Sequence, residues 1–319
     1  MKKTNDRTYI RWMKGIALLV VLNNCYLYTA AQFKITEVTV GTSFIPSSRY
    51  IRPEDSVKTH ASTIQYRFNA GLAFQLASHI DTATGKVRTW SGSLNGIFTR
   101  QQNQDYQKQI FPDDLFAADI SIQHYRSLHN RWAFLGLVSV GLYSDLRQVD
   151  GNDIFVNAGG IFIKQFARNF SLGFGGFVNN NFGAPMLWPA LFVQWRLDGK
   201  YRLDISVPDK GPGLAYNISI TRKFNPQYEL SLGFKPRLMT YDVENRSNPD
   251  KRLMGCWELP IGLENHWHMG RVEIFGGGGI MPLRSTSFGE KKISDIFSKK
   301  PAHKLATNFY LNAGARIRF

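Results

Sequence analysis

One stretch of this sequence, residues 63–76, alternates apolar and polar side chains almost without interruption. Its apolar members are Ile64, Tyr66, Phe68, Ala70, Leu72, Phe74 and Leu76. A side-chain period of two is that of a β-strand. A tilted strand needs about 9–11 residues to cross a bilayer, whereas strands of soluble sheets are mostly about 5–6 residues long. The length and the alternation together predict a membrane-crossing strand.

The same pattern recurs along the chain and predicts fourteen strands. They are 33–44, 63–76, 87–100, 115–126, 131–143, 154–166, 170–178, 187–197, 201–207, 214–224, 228–241, 252–263, 271–280 and 308–319. Connections after even-numbered strands are short except 78–86, and those after odd-numbered strands are long and polar except 208–212. Tight turns at one end and large loops at the other are typical of outer-membrane barrels. The sequence therefore predicts an all-β fold, a closed antiparallel transmembrane β-barrel of 12–14 strands with a polar lumen.

The last predicted strand, 308–319, has a continuous apolar face that includes Phe309, Leu311, Ile317 and Phe319. This stretch resembles the C-terminal targeting signal of bacterial outer-membrane proteins. We therefore expect these four residues to act in membrane targeting and in closing the barrel, by pairing with the first strand.

The first 31 residues read as a signal peptide rather than as structure. Five Lys and Arg residues precede a short apolar run, 15–22, and Thr29-Ala30-Ala31 provides small residues before Gln32. An anchoring helix is disfavoured because the run is short, and a lipoprotein reading would use Cys25 after a poor lipobox. We expect residues 1–31 to be cleaved and residues 32–319 to form a barrel in the cell outer membrane.

The net charge of the sequence is +15. Removing five cations and one Asp with residues 1–31 leaves +11, which favours anionic neighbours. We expect the partners to be outer-membrane lipid, lipopolysaccharide, the outer-membrane insertion machinery and an envelope protein, but not nucleic acid. Cys256 is the one cysteine that remains, which argues against a disulfide framework and a cysteine-based metal site.

The stretch 189–235 contains Y-R-L-D-I-S-V-P at 201–208, preceded by a strand that ends near Trp195-Arg196. It resembles an uncharacterised β-barrel family of the Bacteroidota outer membrane. More distantly, the chain is similar to PorP/SprF-type barrels of type IX secretion and gliding, although it lacks their N-terminal segments. The first resemblance implies the barrel fold and its location, and it implies no functional residues.

Basic side chains predominate among the predicted inward positions. The cations are Arg67, Lys164, Arg196, Arg202, Lys235, Arg316 and Arg318, and the carboxylates are Asp119, Asp204 and Glu229. A basic lumen favours anions, so the first six of these cations, Arg67 to Arg316, are the candidate ligand-binding residues. The alternative is that they pair with carboxylates or extend to the rims of the barrel.

Histidine placement gives little support to catalysis. Of the histidines predicted on the external side, His60 lies near Glu54, Ser56 and Ser62, which loop composition alone can produce. His266-Trp267-His268 offers two metal ligands from a predicted turn, 265–270, without a third. We therefore expect no catalytic residue, metal or cofactor.

One external segment, 285–301, places Ile293, Ile296 and Phe297 at helical spacing before Pro301. It predicts either a short helix that constricts the mouth or a mobile basic loop. Taken together, the sequence favours a non-enzymatic pore or solute-binding barrel for an anionic or amphiphilic solute. The alternatives are an assembly component of a secretion or surface-attachment machine and, third, a lipid-modifying enzyme.

Overall fold

The described strands form a sheet that closes on itself. The computed structural model describes residues 33–209, 211–244, 253–292 and 301–319, and these residues contain fourteen strands. Each strand pairs antiparallel with the next, and the last pairs with the first from Glu37↔Arg318 to Phe44↔Leu311. The predicted closed antiparallel barrel is confirmed, at the upper end of the predicted strand number.

Nine strands are continuous and five consist of two consecutive segments. The continuous strands are β1 (Lys34–Ile51), β2 (Lys58–Asp81), β3 (Lys86–Gln104), β4 (Asp114–Ser127), β5 (Trp132–Ser144), β6 (Ile154–Ala167), β7 (Phe170–Asn179), β8 (Met186–Leu197) and β9 (Tyr201–Val207). The interrupted strands are β10 (Leu214–Ala215 and Asn217–Asn225), β11 (Tyr228–Phe234 and Arg237–Asp242), β12 (Leu253–Glu258 and Ile261–Met269), β13 (Val272–Met281 and Arg284–Gly289) and β14 (His303–Leu305 and Asn308–Arg318). Over the described residues, no helix is long and apolar enough to span a membrane.

The two ends of the barrel differ in their connections. The start of β1, the end of β14 and the short turns lie at one end, which we call the short-turn end. These turns are 82–85, 128–131, 168–169, 198–200, 226–227 and 270–271. The connections that follow odd-numbered strands, such as those between β1 and β2 and between β3 and β4, lie at the opposite end. We call it the long-loop end. The predicted alternation of short and long connections is therefore confirmed.

The outer surface of the barrel is apolar. Along β5, Val138 and Val140 are 53% and 43% exposed, whereas the intervening Ser139 is buried inside. The last strand repeats the pattern, because Phe309, Leu311 and Ile317 are all exposed. Apolar side chains exposed all round a closed barrel require a lipid environment. Aromatic residues near the short-turn end, such as Trp132, Trp195, Tyr201 and Trp267, are also exposed, as expected at a membrane interface.

Two predicted local structures are wrong. The predicted turn 265–270 is part of β12, which continues to Met269 and pairs with β13 down to Met269↔Val272. His266 and His268 therefore lie on a strand. The start of the predicted helical segment is also a strand, Arg284–Gly289, because it pairs with β12 and β14. Ile293, Ile296 and Phe297 lie outside the described residues, as do residues 1–31.

The interrupted strands break at neighbouring positions. The gaps lie at 216, 235–236, 259–260, 282–283 and 306–307, and β1 has a register shift between Ile45 and Ser48. Pro236, Pro260 and Pro282 occupy three of the gaps, and proline cannot donate the hydrogen bond that a continuous ladder requires. Hydrogen bonds join adjacent gaps: Tyr216 N to Pro236 O (2.8 Å), Lys235 N to Pro260 O (3.1 Å) and Leu259 N to Leu283 O (3.1 Å). We call this row of gaps the bend line.

Beyond the bend line, Arg237–Asp242 of β11 pairs with Leu253–Glu258 of β12. We call these two segments the lumen hairpin, because both of its faces contact inner walls of the barrel. On one face Met239, Tyr241 and Met254 pack, together with Val243 and Leu253 at the loop end of the hairpin, against Leu115, Ala117, Tyr143 and Phe155 of β4, β5 and β6. On the other, Leu238 packs with Leu214 and with Phe177 and Ala190 of β7 and β8. Asp242 also forms a parallel bridge with Ser144 of β5. The hairpin thus occupies the lumen towards the long-loop end.

Candidate binding site in the lumen

A buried ion pair links the lumen hairpin to the far wall. Arg67 of β2 donates two hydrogen bonds to Glu258 of the hairpin, each 2.9 Å long, and both side chains are more than nine-tenths buried. Arg67 also donates to the Thr99 hydroxyl (3.1 Å), and Gln65 donates to the same carboxylate (3.1 Å). A two-pronged Arg–carboxylate contact is among the stronger hydrogen-bonded pairs in proteins, so it fixes the hairpin against β2.

Two further arginines complete this cluster. Arg237, in the hairpin, donates to the second oxygen of Glu258 (2.6 Å). Arg284 of β13 hydrogen-bonds to Gln65 and to the Ser48 hydroxyl, and Gln65 in turn contacts Glu258. Glu258 is therefore the shared acceptor of a cluster that joins β1, β2, β13 and the hairpin.

A second charged network lines the lumen towards the short-turn end. His266 lies between Glu264 (3.2 Å) and Glu273 (2.9 Å). Arg316 and Arg318 both contact Glu273, at 3.2 and 2.7 Å. His266 is thus held by two carboxylates within a network of strand residues rather than in a solvated turn. No group of three or more metal-ligating side chains occurs among the described residues.

The six predicted ligand-binding cations have three different surroundings. Four are paired with carboxylates: Arg67 with Glu258 (2.9 Å), Arg202 with Asp204 (2.5 Å), Lys235 with Glu264 (3.3 Å), and Arg316 with Glu273 (3.2 Å). Arg196 lies at the short-turn rim and is exposed. Lys164 is on the outer face, because its Nζ lies 5.2 Å from the ring centroid of the exposed Trp132, its cross-strand partner. Its predicted inward orientation is wrong.

The lumen cations are therefore largely compensated. The predicted inward carboxylates are Asp119, Asp204 and Glu229, but Glu258, Glu264 and Glu273, which were not predicted, form most of the pairs. Paired charges attract a free anion much less than unpaired ones, since the two fields largely cancel. The sequence signal for these acids is the alternation of inward and outward side chains along β12 and β13. This alternation becomes visible once His266 is placed on a strand.

A cavity of about 250 Å³ lies against another part of the lumen wall. Its lining comes from the inner faces of β3 to β9: Ser93, Asp119, Ser121, Gln123, Leu135, Leu137, Ser139, Gly159, Gly160, Ile161, Gly176, Phe177, Ala190, Leu191, Phe192 and Ser206, with Pro208, Asp209 and Gly211 from the following loop. The β3 and β4 side of this lining is polar. The β5 to β8 side is mainly apolar. A molecule with one polar end and one apolar end matches this division.

The barrel wall is incomplete beside this cavity. β8 pairs with β9 only from Leu197↔Tyr201 up to Leu191↔Val207. Beyond that point, Met186–Ala190 pairs with β7 alone among the described residues. The loop 208–213 then leads to Leu214–Ala215, the first segment of β10, which pairs with the lumen hairpin rather than with β8. Because Ala190, Pro208 and Gly211 line the cavity, the cavity reaches the wall where β8 lacks its second neighbour.

Above the lumen hairpin, aromatic side chains cover the long-loop end. Tyr50, Phe111 and Leu305 form a buried cluster with the half-buried Tyr106. The Tyr106 hydroxyl lies 2.8 Å from the Thr63 hydroxyl, and burial raises the pKa of Tyr106 to about 12. This tyrosine therefore stays neutral at physiological pH and serves as a packed loop residue.

The histidine considered for catalysis is isolated. His60 is exposed near the start of β2, and no hydrogen bond joins it to Glu54, Ser56 or Ser62 in the described part of the chain. A nucleophile–histidine–acid arrangement requires contacts of about 2.6–3.2 Å. His303 instead contacts the Tyr50 hydroxyl through Nδ1 (2.8 Å), within the aromatic cluster.

The ring closure, the apolar outer face and the enclosed lumen define a transmembrane β-barrel with an internal hairpin and a small cavity. Over residues 27–318 the sequence matches the family described as a domain of unknown function, DUF6268, and the chain belongs to this family. No curated protein matches the sequence. These matches leave the predicted relation to Bacteroidota and PorP/SprF-type barrels as a prediction.

Several solved barrels are similar in architecture. An outer membrane channel from Pseudomonas putida F1 shares 9% identity at a TM-score of 0.43, over 92% of this chain and 98% of that chain. TodX, a monoaromatic hydrocarbon channel in a deltaS2 mutant form, shares 9% identity at a TM-score of 0.46, over 92% and 91%. LpxR from Salmonella typhimurium shares 9% identity at a TM-score of 0.31, over 89% and 100%. Similarity at this level carries no functional argument.

Proposed function

We propose that this protein is an outer-membrane barrel that binds a small amphiphilic solute in the lumen and passes it across the membrane. The observation that carries this proposal is the cavity of about 250 Å³, with a polar side on β3 and β4 and an apolar side on β5 to β8. An apolar cavity of about 150 Å³ accommodates a benzene-sized molecule. This cavity therefore suits a somewhat larger solute.

The outer-membrane location is supported by the apolar outer face and by the sequence of residues 1–31, which favours export. In that location the short-turn end would face the periplasm and the long-loop end the exterior. Outer-membrane lipid, lipopolysaccharide and the insertion machinery would be the contacts that every such barrel makes.

The ion pairs favour an amphiphilic solute over an anionic one. Four of the predicted binding cations already have carboxylate partners, and Arg67 is also covered by the lumen hairpin. The hairpin itself occupies the lumen, so a wide water-filled pore is disfavoured. Passage of the solute would require the hairpin to move, or would follow the incomplete wall beside Met186–Ala190.

Calorimetric titration of the purified barrel with 1-hexanol tests this function. We expect saturable binding to the wild type, and its loss in Leu137→Trp, because Leu137 lines the cavity and a larger side chain would fill it. The matched control is Val138→Trp, one residue along β5, whose side chain faces lipid. This control should bind 1-hexanol as the wild type does.

Gel mobility before and after heating shows whether each variant has formed a barrel. If a folded wild-type barrel gave no saturable binding, or if the two tryptophan variants weakened it equally, the cavity would not be the solute site. Equal weakening would point to 1-hexanol dissolving in the detergent around the outer face.

An assembly component is the second candidate, and the occupied lumen favours it. A barrel whose interior is filled by its own hairpin can serve as a rigid membrane anchor for an envelope partner. Co-purification from the native membrane tests this function. A partner retained in stoichiometric amount by the wild type and by Leu137→Trp alike would support it, and absence of any partner would count against it.

A further inference from the structure

Asp119 of β4 lies on the polar side of the cavity. Its side chain points into the lumen, and only 6% of the residue is exposed. Asn95 donates a hydrogen bond to Oδ1 (2.9 Å). This bond is the one donor contact to this carboxylate within the described residues. The other oxygen, Oδ2, is not sealed away from solvent. It therefore faces the cavity.

The other lumen carboxylates on the described wall strands and hairpin that are paired differ from Asp119 because each has a cation within 4.0 Å. The pairs are Asp204 with Arg202, Glu229 with Arg202, Glu258 with Arg67, Glu264 with Lys235, and Glu273 with Arg316. No Lys, Arg or His within the described ranges comes that close to Asp119. Asp209, in the loop after β9, also lines the cavity and accepts a hydrogen bond from the Ser206 hydroxyl (2.9 Å). Among the carboxylates on the described wall strands that face the lumen, Asp119 is therefore the uncompensated one.

Neighbouring side chains give the site a defined shape. The Ser121 hydroxyl, two residues along β4, lies 2.8 Å from the Ser93 hydroxyl of β3. Across the other strand neighbour, Asp119 faces Gly141 of β5, where the Tyr143 ring occupies the space that a side chain at position 141 would need. Leu135 and Leu137 of β5 line the same cavity and are apolar. A carboxylate, a hydroxyl pair and an apolar surface therefore surround one space.

Burying an ionised carboxylate without a partner costs free energy, and a bound cation would recover it. An ammonium group has three N–H donors and forms short, charge-assisted hydrogen bonds to carboxylates. An alcohol can donate only one bond and brings no charge. A second carboxylate would be repelled by Asp119.

We propose that Asp119 binds the ammonium group of an amphiphilic primary amine, whose hydrocarbon part lies against Leu135 and Leu137. This proposal rests on the proposed function, since it assigns the solute class to the same cavity. The ammonium group would contact the free oxygen of Asp119 and the Ser121 hydroxyl. The apolar part would extend towards β6 and β7.

Three probes of equal chain length test the proposal: hexylammonium chloride, 1-hexanol and sodium hexanoate. They are titrated into the full-length barrel at pH 7, where the amine is protonated. We expect hexylammonium to bind the wild type at least tenfold more tightly than 1-hexanol, and hexanoate not to bind. In Asp119→Asn, which keeps the side-chain shape, hexylammonium should lose at least tenfold in affinity while 1-hexanol binding is retained.

Asp204→Asn is the matched control, because Asp204 also faces the lumen but is paired with Arg202 and lies outside this cavity. It should leave hexylammonium binding unchanged. Retained 1-hexanol binding shows that the Asp119→Asn cavity is still formed, which separates a lost contact from a failure to fold.

The outcomes distinguish this inference from the proposed function. If neither hexylammonium nor 1-hexanol bound the wild type, the proposed function would fail. If 1-hexanol bound and hexylammonium bound no more tightly, the amine assignment would be overturned while the cavity remained a solute site. The same conclusion would follow if Asp119→Asn bound both probes with wild-type affinity. An equal loss in Asp119→Asn and Asp204→Asn would also overturn it, since general lumen charge would then explain the effect.

Discussion

At the scale of single residues, the Glu258 carboxylate accepts hydrogen bonds from several side chains inside the barrel. Arg67 and Arg237 donate to it directly, and Gln65 connects it to Arg284. Removing one partner of a buried ion pair leaves the other charge uncompensated, which costs more than the pair itself contributes. The cost therefore depends on which partner is removed, because Glu258 compensates several cations and Arg67 only one anion.

We expect Glu258→Gln to lower the free energy of unfolding by about 3–5 kcal/mol, since it leaves buried arginines without their anion. Arg67→Met should cost less, about 1–3 kcal/mol, because Arg237 still pairs with the carboxylate. Denaturant titration of the detergent-solubilised barrel measures both. Arg52→Met is the control, because its pair with Asp55 (2.6 Å) is exposed and should contribute at most about 1 kcal/mol. Equal losses in all three variants would contradict this account.

At the scale of secondary-structure elements, the bend line determines where the wall ends and the interior structure begins. Pro236, Pro260 and Pro282 lie in the gaps of three neighbouring strands, β11, β12 and β13. On the short-turn side of these gaps, the strands alternate between lipid and lumen. On the other side, two of the same strands form the lumen hairpin. The prolines thus lie where these strands change direction, and beyond them Leu253–Glu258 remains paired to Arg284–Gly289 of β13.

The triple variant Pro236→Thr/Pro260→Thr/Pro282→Thr should weaken this change of direction. Threonine restores the missing N–H and favours extended strands, so the hairpin should leave the lumen more often. Cys256 reports this movement, because it lies on the hairpin with its Sγ 3.5 Å from the Thr286 hydroxyl. We expect a water-soluble maleimide to label Cys256 several-fold faster than in the wild type, as measured by mass spectrometry.

Pro189→Thr is the matched control for the triple variant. Pro189 lies within β8, opposite Gly176 of β7 and away from the bend line, so the labelling rate of Cys256 should not change. If Cys256 of the triple variant were labelled at the wild-type rate, the prolines would be compatible with the bend but would not stabilise it.

The strands of the wall could be predicted from sequence, because one face of each meets lipid and the other does not. Errors arose where this asymmetry is lost. In β6, Phe155 packs in the hairpin core and Ile161 lines the cavity, so apolar residues occur on both faces and the orientation of Lys164 could not be read. Both faces of Arg237–Asp242 are buried, so its sequence does not alternate. The prolines were the available signal for the hairpin, but their effect depends on neighbouring strands.

At the scale of the whole molecule, the strands form a ring on the short-turn side of the bend line, and two of them continue as an internal hairpin that stays paired to Arg284–Gly289 of β13. The pairing between β11 and β12 within the wall, Tyr228↔Trp267 to Phe234↔Ile261, does not involve the hairpin. The ring can therefore close without Arg237–Glu258. The position of the cavity could not be predicted from sequence, because it depends on the hairpin that covers it and on the distance between opposite walls.

Replacing residues 237–258 by Asn-Gly, a favourable two-residue turn, should leave the ring intact and open the lumen. We expect steady single-channel conductance in planar bilayers from this variant and little or none from the wild type. Heat-dependent gel mobility confirms that the variant is a barrel. Equal conductance in the two proteins would mean that the hairpin does not obstruct ion flow.

The position of the lumen hairpin also has a consequence for the order in which the chain folds. Its contacts join residues far apart in sequence: Arg67 and Glu258 are separated by 191 positions, and Gln65 and Arg284 by 219. Contacts of such long range require closure of large loops and form slowly. Neighbouring wall strands, by contrast, pair across short turns. The hairpin should therefore dock late, into a ring whose inner surfaces have already been assembled from β2 to β8.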